Sequence, residues 1–279
     1  MVPEPTFAST RLVSRPKPSR EEAIRERSLV LVAEDHSVNR AVLLHQLDSI
    51  GLYADTAEDG QVALDLFRSG EYAIVITDVH MPRLDGYQLA EAIRRYESET
   101  SRPRTPIMAL TANVMEGEPQ RCRDAGMDDF AAKPTTIPLL AAKVRRWLPH
   151  LEFPAAEDGP VDGDRGGPAE AIDHAVLGEL TGGDATMTAE ILDDFVDATT
   201  ADLTRLDRAL SADDLEVARR LAHRIKGAGG VVGARRVADL ASGIEREAGN
   251  GAADGRHLLP VLAELAKAVA DVDAARDQR

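Results

Sequence analysis

Two short apolar runs that stop abruptly on carboxylates constrain this chain more than any other feature. Residues 29–33 read LVLVA and run into Glu34 and Asp35; residues 73–77 read AIVIT and run into Asp78. Unbroken branched-apolar runs of this length fit strands buried on both faces, because a strand with one wet face would alternate. The intervals between the runs carry helical spacing instead. Val38, Val42, Leu43, Leu47 and Ile50 recur at that spacing over residues 38–50, and Gly51 is placed to end the helix. A strand over 52–56 leads into a helix over 61–68 that stops at Gly70. After the strand over 73–78 come a helix over 87–96, a strand over 106–111, a helix around 115–125, a strand over 129–132 and a helix over 137–148. This alternation predicts an α/β fold: a five-stranded parallel, doubly wound sheet of the flavodoxin-like kind, with helices on both faces.

Open sheets of this kind bind their ligands beyond the carboxyl ends of the strands. There the sequence puts Glu34 and Asp35 after the first strand, Asp78 after the third, Thr111 after the fourth and Lys133 after the fifth. Converging carboxylates repel one another unless a cation sits among them, and oxygen donors at that density suit Mg²⁺, a hard ion. A lysine and a hydroxyl facing the same point offer positive charge and a hydrogen-bond donor to an incoming phosphoryl group. The edge therefore reads as a place for phosphoryl chemistry on a carboxylate. Taken singly, Asp78 is an ordinary cap or turn residue. The set gives it chemistry.

The pieces VAEDHSVNR at 32–40, ITDVHMPRLDGYQLA at 76–90, ALTAN at 109–113 and DDFAAKP at 128–134 occur in order at fitting separations. Together they resemble the receiver domain of two-component response regulators, over residues 28–150. The resemblance implies that Glu34 and Asp35 are the family's acidic pair and that Asp78 is the phosphoacceptor. It further implies Mg²⁺ bound by Glu34, Asp35, Asp78 and the backbone carbonyl of His80. Lys133, followed by Pro134, corresponds to the phosphate-binding lysine, Thr111 to the switch hydroxyl and Phe130 to the aromatic switch. The His80 side chain reads as a surface group that tunes phosphate lifetime, and Cys122 as a helix residue without redox duty.

Residues 151–170 are rich in Gly, Pro and Asp and lack periodic apolar residues, which predicts a linker. From 171 to 274 the periodicity is helical throughout, with turn signals at Gly182-Gly183, Ser211 and residues 249–251. A four-helix bundle with a short leading helix satisfies that pattern, so the second domain is expected to be all-α. Its helix over 213–230 buries Leu215, Ala218, Leu221, Ala222 and Ile225. A different face carries Arg219, Arg220, His223, Lys226, Gly227 and Gly230. His223 is expected to be exposed there, with Lys226 one turn on to hold an anion beside it. An imidazole nitrogen is a competent nucleophile for phosphoryl transfer near neutral pH. Glycine costs a helix roughly 1 kcal/mol relative to alanine, so these glycines are expected where something approaches the backbone closely.

The stretch AHRIKGAGGVVGA at 222–234 resembles the signature of histidine-containing phosphotransfer domains, with the H-x-x-K-G run on His223, Lys226 and Gly227 and the later glycine on Gly233. The resemblance spans about residues 172–272, within a domain expected over 171–274 that leaves a tail at 275–279. It implies that His223 carries phosphate, supported by Lys226, Gly227, Arg219 and Arg220. Receiver followed by phosphotransfer domain is also the order found at the end of hybrid sensor histidine kinases.

Charge sharpens this organisation. The chain carries a net −15, which disfavours a protein that coats nucleic acid or an anionic membrane, and no apolar run is long enough to predict membrane insertion. Residues 28–150 hold 13 basic and 18 acidic side chains and residues 151–279 hold 14 and 26, so most of the acidity lies C-terminally. It is interrupted around His223 by Arg219, Arg220, Arg224 and Lys226, which predicts that an acidic receiver edge docks there. Residues 1–27, with Pro3, Pro5, Pro16 and Pro18, read as a flexible arm with a short helix over 21–27. One cysteine suits a reducing cytosol, hence a cytoplasmic location. No ATP-binding boxes or basic recognition helix are present. The expected function is thus a His–Asp phosphorelay intermediate that takes phosphate from a sensor histidine kinase on Asp78. From there His223 hands it to a downstream response-regulator receiver, or back. Two other classes compete. One is a Mg²⁺-dependent phosphohydrolase with Asp78 as nucleophile, although His80 stands where haloacid-dehalogenase enzymes carry a second aspartate. The other is a binding module that is never phosphorylated.

Overall fold

Apolar side chains fill every position of Val30–Ala33 (β1), and every position of that strand is buried. Every position of Ile74–Asp78 (β3) and Ile107–Thr111 (β4) is buried too, the polar Thr77, Asp78 and Thr111 included. In the computed structural model, which describes residues 16–111, 118–153, 171–250 and 254–276, these strands form the centre of a parallel sheet. Ala54–Ala57 (β2) and Asp129–Ala132 (β5) are its edges, in the order β2-β1-β3-β4-β5. Ser37–Ser49 (α2) and Ile137–Trp147 (α6) cover one face. Gly60–Ser69 (α3), Gly86–Thr100 (α4) and Glu118–Asp124 (α5) cover the other. The fold is the five-stranded, flavodoxin-like sheet expected from the alternating pattern.

Two stretches differ from the sequence reading. Residues 20–25 are not part of a free arm: Arg20–Arg25 (α1) is held by a Ser19/Glu22 capping box, and its Ala23 is fully buried against the receiver core. Arg20 makes bidentate hydrogen bonds to Asp55, which also accepts from Tyr72. One buried methyl and one ion pair do not stand out from a Pro-rich, charged sequence, so composition alone missed them. The helix expected over 87–96 continues to Thr100 because Glu97, polar in pattern, is buried and satisfied by Arg94 and the Thr105 amide. The arm over 1–15, the linker from 154 to 170, the start of the helix around 115–125 and the tail from 277 lie outside the described residues.

The second domain is a helical bundle, as expected. His174–Thr181 (α7) leads into Ala185–Ser211 (α8), Leu215–Val231 (α9), Arg235–Gly249 (α10) and Leu259–Arg276 (α11). Aspartates 173, 184 and 214 cap α7, α8 and α9 by accepting from backbone amides of the first turn. Phe195, Leu206, Leu210, Ile225, Ile244 and Leu265 form the bundle core, each at most 1% exposed.

The two domains touch through α2, which packs on α7, α8 and α9. Val38 and Val42 of α2 belong to the bundle's hydrophobic cluster, and a ring nitrogen of His45 lies 3.2 Å from the carbonyl of Thr181. The carboxyl edge of the sheet consequently faces α9, the helix that carries His223.

Candidate functional site

β1 and β3 deliver their acids to one point because they are adjacent and parallel, with Ala33 paired to Thr77. Glu34 and Asp35 leave β1 where Asp78 closes β3, and one carboxylate oxygen from each lies within 4.8 Å of the others. Gly86 holds the loop after β3 in place: a Cβ there would stand 2.3 Å from the Asp78 carbonyl, so only glycine lets α4 begin against that backbone. The Val79 carbonyl accepts from the Gly86 amide at 2.9 Å.

Lys133 arrives from the end of β5, its amide bonded to the Thr111 carbonyl at 2.8 Å. Its Nζ lies 2.5 Å from Glu34 and 2.8 Å from Asp78. Burial alone would lower the Lys133 pKa, but these two acids raise it, so the ammonium stays charged. Burial alone would lift Asp78; Lys133, and beyond it His223 and His80, hold its carboxyl below the usual range. Glu34 goes the other way, raised chiefly by burial despite Lys133 and a hydrogen bond from Asn39. Asp35 is pushed up to about 7 by burial against the pull of Arg224. Buried His36, held down to about 3 mainly by burial, stays neutral; its Nδ1 caps α2 by accepting from the Val38 amide. Three carboxyl groups converging on one point offer the hard oxygen donors that fit Mg²⁺, and a bound ion would favour their ionised forms.

From α9, His223 meets this edge. Its ring centroid is 4.6 Å from that of His80, whose amide donates to Asp78 Oδ1 at 3.3 Å. The histidine expected to be exposed keeps only 13% of its side chain in water, because the receiver covers it. His223 Nδ1 lies 2.6 Å from Glu245 Oε1 on α10, and Lys226 Nζ lies 3.1 Å from Glu245 Oε2. The anion beside the imidazole is therefore a carboxylate of the bundle itself. Burial would raise Glu245, yet His223 and Lys226 bring it down to about 2. Sequence reasoning missed Glu245. An acid next to the apolar stripe of α10 looks like any solvated residue until the register of α9 on α10 is known.

The remaining expected residues fall as follows. Gly227 lies beside the receiver, with Asn39 Nδ2 at 3.5 Å from where its Cβ would stand. Gly229 approaches the backbone of α10 and the turn before it, Gly230 faces open space, and the tightest of these approaches is at Gly233, where a Cβ would stand 2.9 Å from the Asp173 carbonyl. Arg219 and Arg220 pair with Glu216 of their own helix instead of with receiver acids. Of the cations around His223, Arg224 pairs with the receiver: its Nη1 is 3.1 Å from Asp35. Thr111 is buried at the end of β4, and Phe130 on β5 is half-buried with Lys143 Nζ 5.4 Å from its ring centre. A cleft of about 470 Å³ lined by His80, His223, Asp35, Met81 and Arg224 opens between the domains beside the two histidines.

Residues 30–145 match the response regulator receiver domain, and residues 190–275 match the Hpt domain. The chain is a receiver domain followed by an Hpt domain. Among its relatives, the virulence sensor protein BvgS of Bordetella bronchiseptica is 34% identical over 226 residues, which cover 78% of this chain and 18% of BvgS. The sensor histidine kinase RcsC of Escherichia coli K12 is 37% identical over 125 residues, 44% of this chain and 13% of RcsC. The receiver–Hpt chain thus spans less than a fifth of either sensor kinase. The solved receiver domain of sensor histidine kinase PA1611 from Pseudomonas aeruginosa, which has a magnesium ion coordinated in its active-site cleft, is 34% identical. It covers 44% of this chain and 98% of its own, with a TM-score of 0.40. A receiver joined to an Hpt domain belongs to two-component phosphorelay signalling. Among the described residues, no helix is long and apolar enough to cross a membrane.

Proposed function

We propose that this receiver–Hpt pair is a phosphorelay intermediate in which Asp78 accepts a phosphoryl group from the phosphohistidine of a sensor kinase and His223 of the same chain exchanges it with Asp78. From His223 the group goes to a receiver on another protein, or returns. The observation that carries this reading is the placement of His223 against His80, two residues beyond Asp78, with its Nδ1 tied to Glu245.

The tie fixes the chemistry of the ring. A carboxylate on Nδ1 favours the tautomer with hydrogen there and leaves the Nε2 lone pair as nucleophile. When Nε2 attacks the phosphoryl phosphorus, the P–O bond to Asp78 breaks and its electron pair stays on the Asp78 carboxylate. The imidazole keeps its Nδ1 hydrogen and becomes cationic, and the Glu245 carboxylate balances that charge. Reversal of the same steps returns the group to Asp78. Lys133, in contact with Asp78, presents its ammonium to the phosphoryl oxygens. Glu34, Asp35 and Asp78 would hold Mg²⁺, together with the His80 carbonyl expected from the family, and the ion would neutralise charge on the phosphoryl oxygens. Thr111 and Phe130 are assigned to reporting occupancy of the site to the neighbouring surface.

A phosphorylated kinase and a downstream receiver provide the test. His223→Gln is expected to take up label on Asp78 as the wild type does and to deliver none downstream. Delivery at the wild-type rate by this variant would refute the assignment.

A further inference from the structure

Arg224, the residue after His223, reaches two acids from different domains. Its Nη1 lies 3.1 Å from Asp35 Oδ2 of the receiver and its Nε 3.1 Å from Asp202 Oδ2 of α8. Asp202 is only 1% exposed, and its other cation, Arg205, stands farther off at 3.6 Å. Asp202 thus anchors the guanidinium from behind while the outer edge of that group holds Asp35. Asp35 is also one of the three carboxylates that converge on the candidate metal position. One carboxylate therefore faces both a fixed cation of the bundle and a divalent cation of the receiver. Like charges that close repel strongly, and a part-buried interface screens them poorly.

We propose that Arg224 sets docking of the Hpt bundle and Mg²⁺ loading of the receiver against each other, through the Asp35 carboxylate that both use. The inference rests on reading Glu34, Asp35 and Asp78 as the Mg²⁺ site. Loading the ion weakens the hold of Arg224 on Asp35, leaving the contacts of Val38, Val42 and His45 to keep the domains together. Undocking frees Asp35 for the ion. Linkage makes the effect reciprocal: the factor by which docking weakens Mg²⁺ binding is the factor by which Mg²⁺ weakens docking. A loaded receiver then yields the His223 face to a second receiver more readily than an empty one does.

Titration of the full chain with Mg²⁺ alone, followed by calorimetry, tests this without any phosphorylation. Arg224→Ala, and Arg224→Gln where the smaller side chain disturbs folding, are expected to tighten the Mg²⁺ Kd by about tenfold. Arg236→Ala, which removes an equal charge from an exposed site paired with Glu264 and Asp271, is expected to stay within about twofold of wild type. A merely structural role for Arg224 would weaken Mg²⁺ binding or leave it alone, and either result overturns the proposal. So does tightening by Arg236→Ala as large as that by Arg224→Ala. Failure of wild type and variants alike to take up Mg²⁺ would instead remove the metal-site reading, and the inference with it.

Discussion

Asp78→Asn is expected to reduce phosphoryl uptake from a phosphorylated sensor kinase to background, a loss of at least about 10³-fold. The amide is almost the same size, so the buried end of β3 keeps its shape, and Lys133 keeps Glu34 as a partner. What disappears is the nucleophile: an uncharged amide oxygen does not form the acyl phosphate. The variant should therefore fold with the wild-type far-ultraviolet circular dichroism and show no radiolabel after incubation with the phosphorylated kinase. Label on the variant at wild-type level would place the acceptor elsewhere.

The second large effect is expected at Glu245, in the other domain and invisible to the first assay. Glu245→Ala leaves His223 without the acceptor on Nδ1 and without a counter-charge for the cationic product ring. Partners that orient a metal-bound histidine are worth about 10–100-fold, and the exchange between Asp78 and His223 is expected to slow by a comparable factor. Initial labelling of Asp78 by the kinase should be unchanged. Glu245→Gln, which keeps an oxygen for the Nδ1 hydrogen but not the charge, is expected to fall between wild type and alanine. The same network has a pH signature. The Glu245 carboxyl sits at about 2 in the fold against 4.5 for the free group, so its contribution to stability is complete above about pH 4.5 and disappears as pH falls toward 2. Removing the carboxylate is expected to cost ~1–3 kcal/mol of Hpt stability at neutral pH. It should also flatten the acid limb of the unfolding profile, which urea titrations from pH 3 to pH 7 can follow. An unchanged acid limb in Glu245→Gln would mean that the His223–Glu245–Lys226 contacts contribute nothing.

The sheet was legible in the chain because buried parallel strands leave unbroken apolar runs, and their carboxyl ends could be read directly: Glu34, Asp35, Asp78, Thr111 and Lys133 all stand at one edge. His223 was legible through its spacing to Lys226 and Gly227. Three things were not. Glu245 and Asp202 are acids whose importance depends on which helix packs against them, and helix register is not written in either helix alone. Ala23 of α1 is buried in the receiver core and Glu97 of α4 is satisfied by Arg94 and the Thr105 amide, and such tertiary contacts break the periodic pattern instead of announcing themselves in it. The fit of α2 into the bundle is the third. Val38 and Val42 sit in the apolar stripe expected of α2, yet they face the Hpt core and not the sheet. A stripe tells that a face is covered, not by what.

In the proposed relay one chain holds both phosphoryl carriers and passes the group between them. A pulse of radiolabelled phosphorylated kinase, quenched at successive times, tests it through the opposite stabilities of the two linkages. Acyl phosphate on Asp78 is cleaved by hydroxylamine and alkali, whereas phosphohistidine on His223 survives alkali and is lost in acid. Alkali-labile label is expected first, with alkali-stable label growing at its expense at a rate that does not depend on chain concentration. Alkali-stable label that forms equally fast in Asp78→Asn, or that never forms in the wild type, would contradict it.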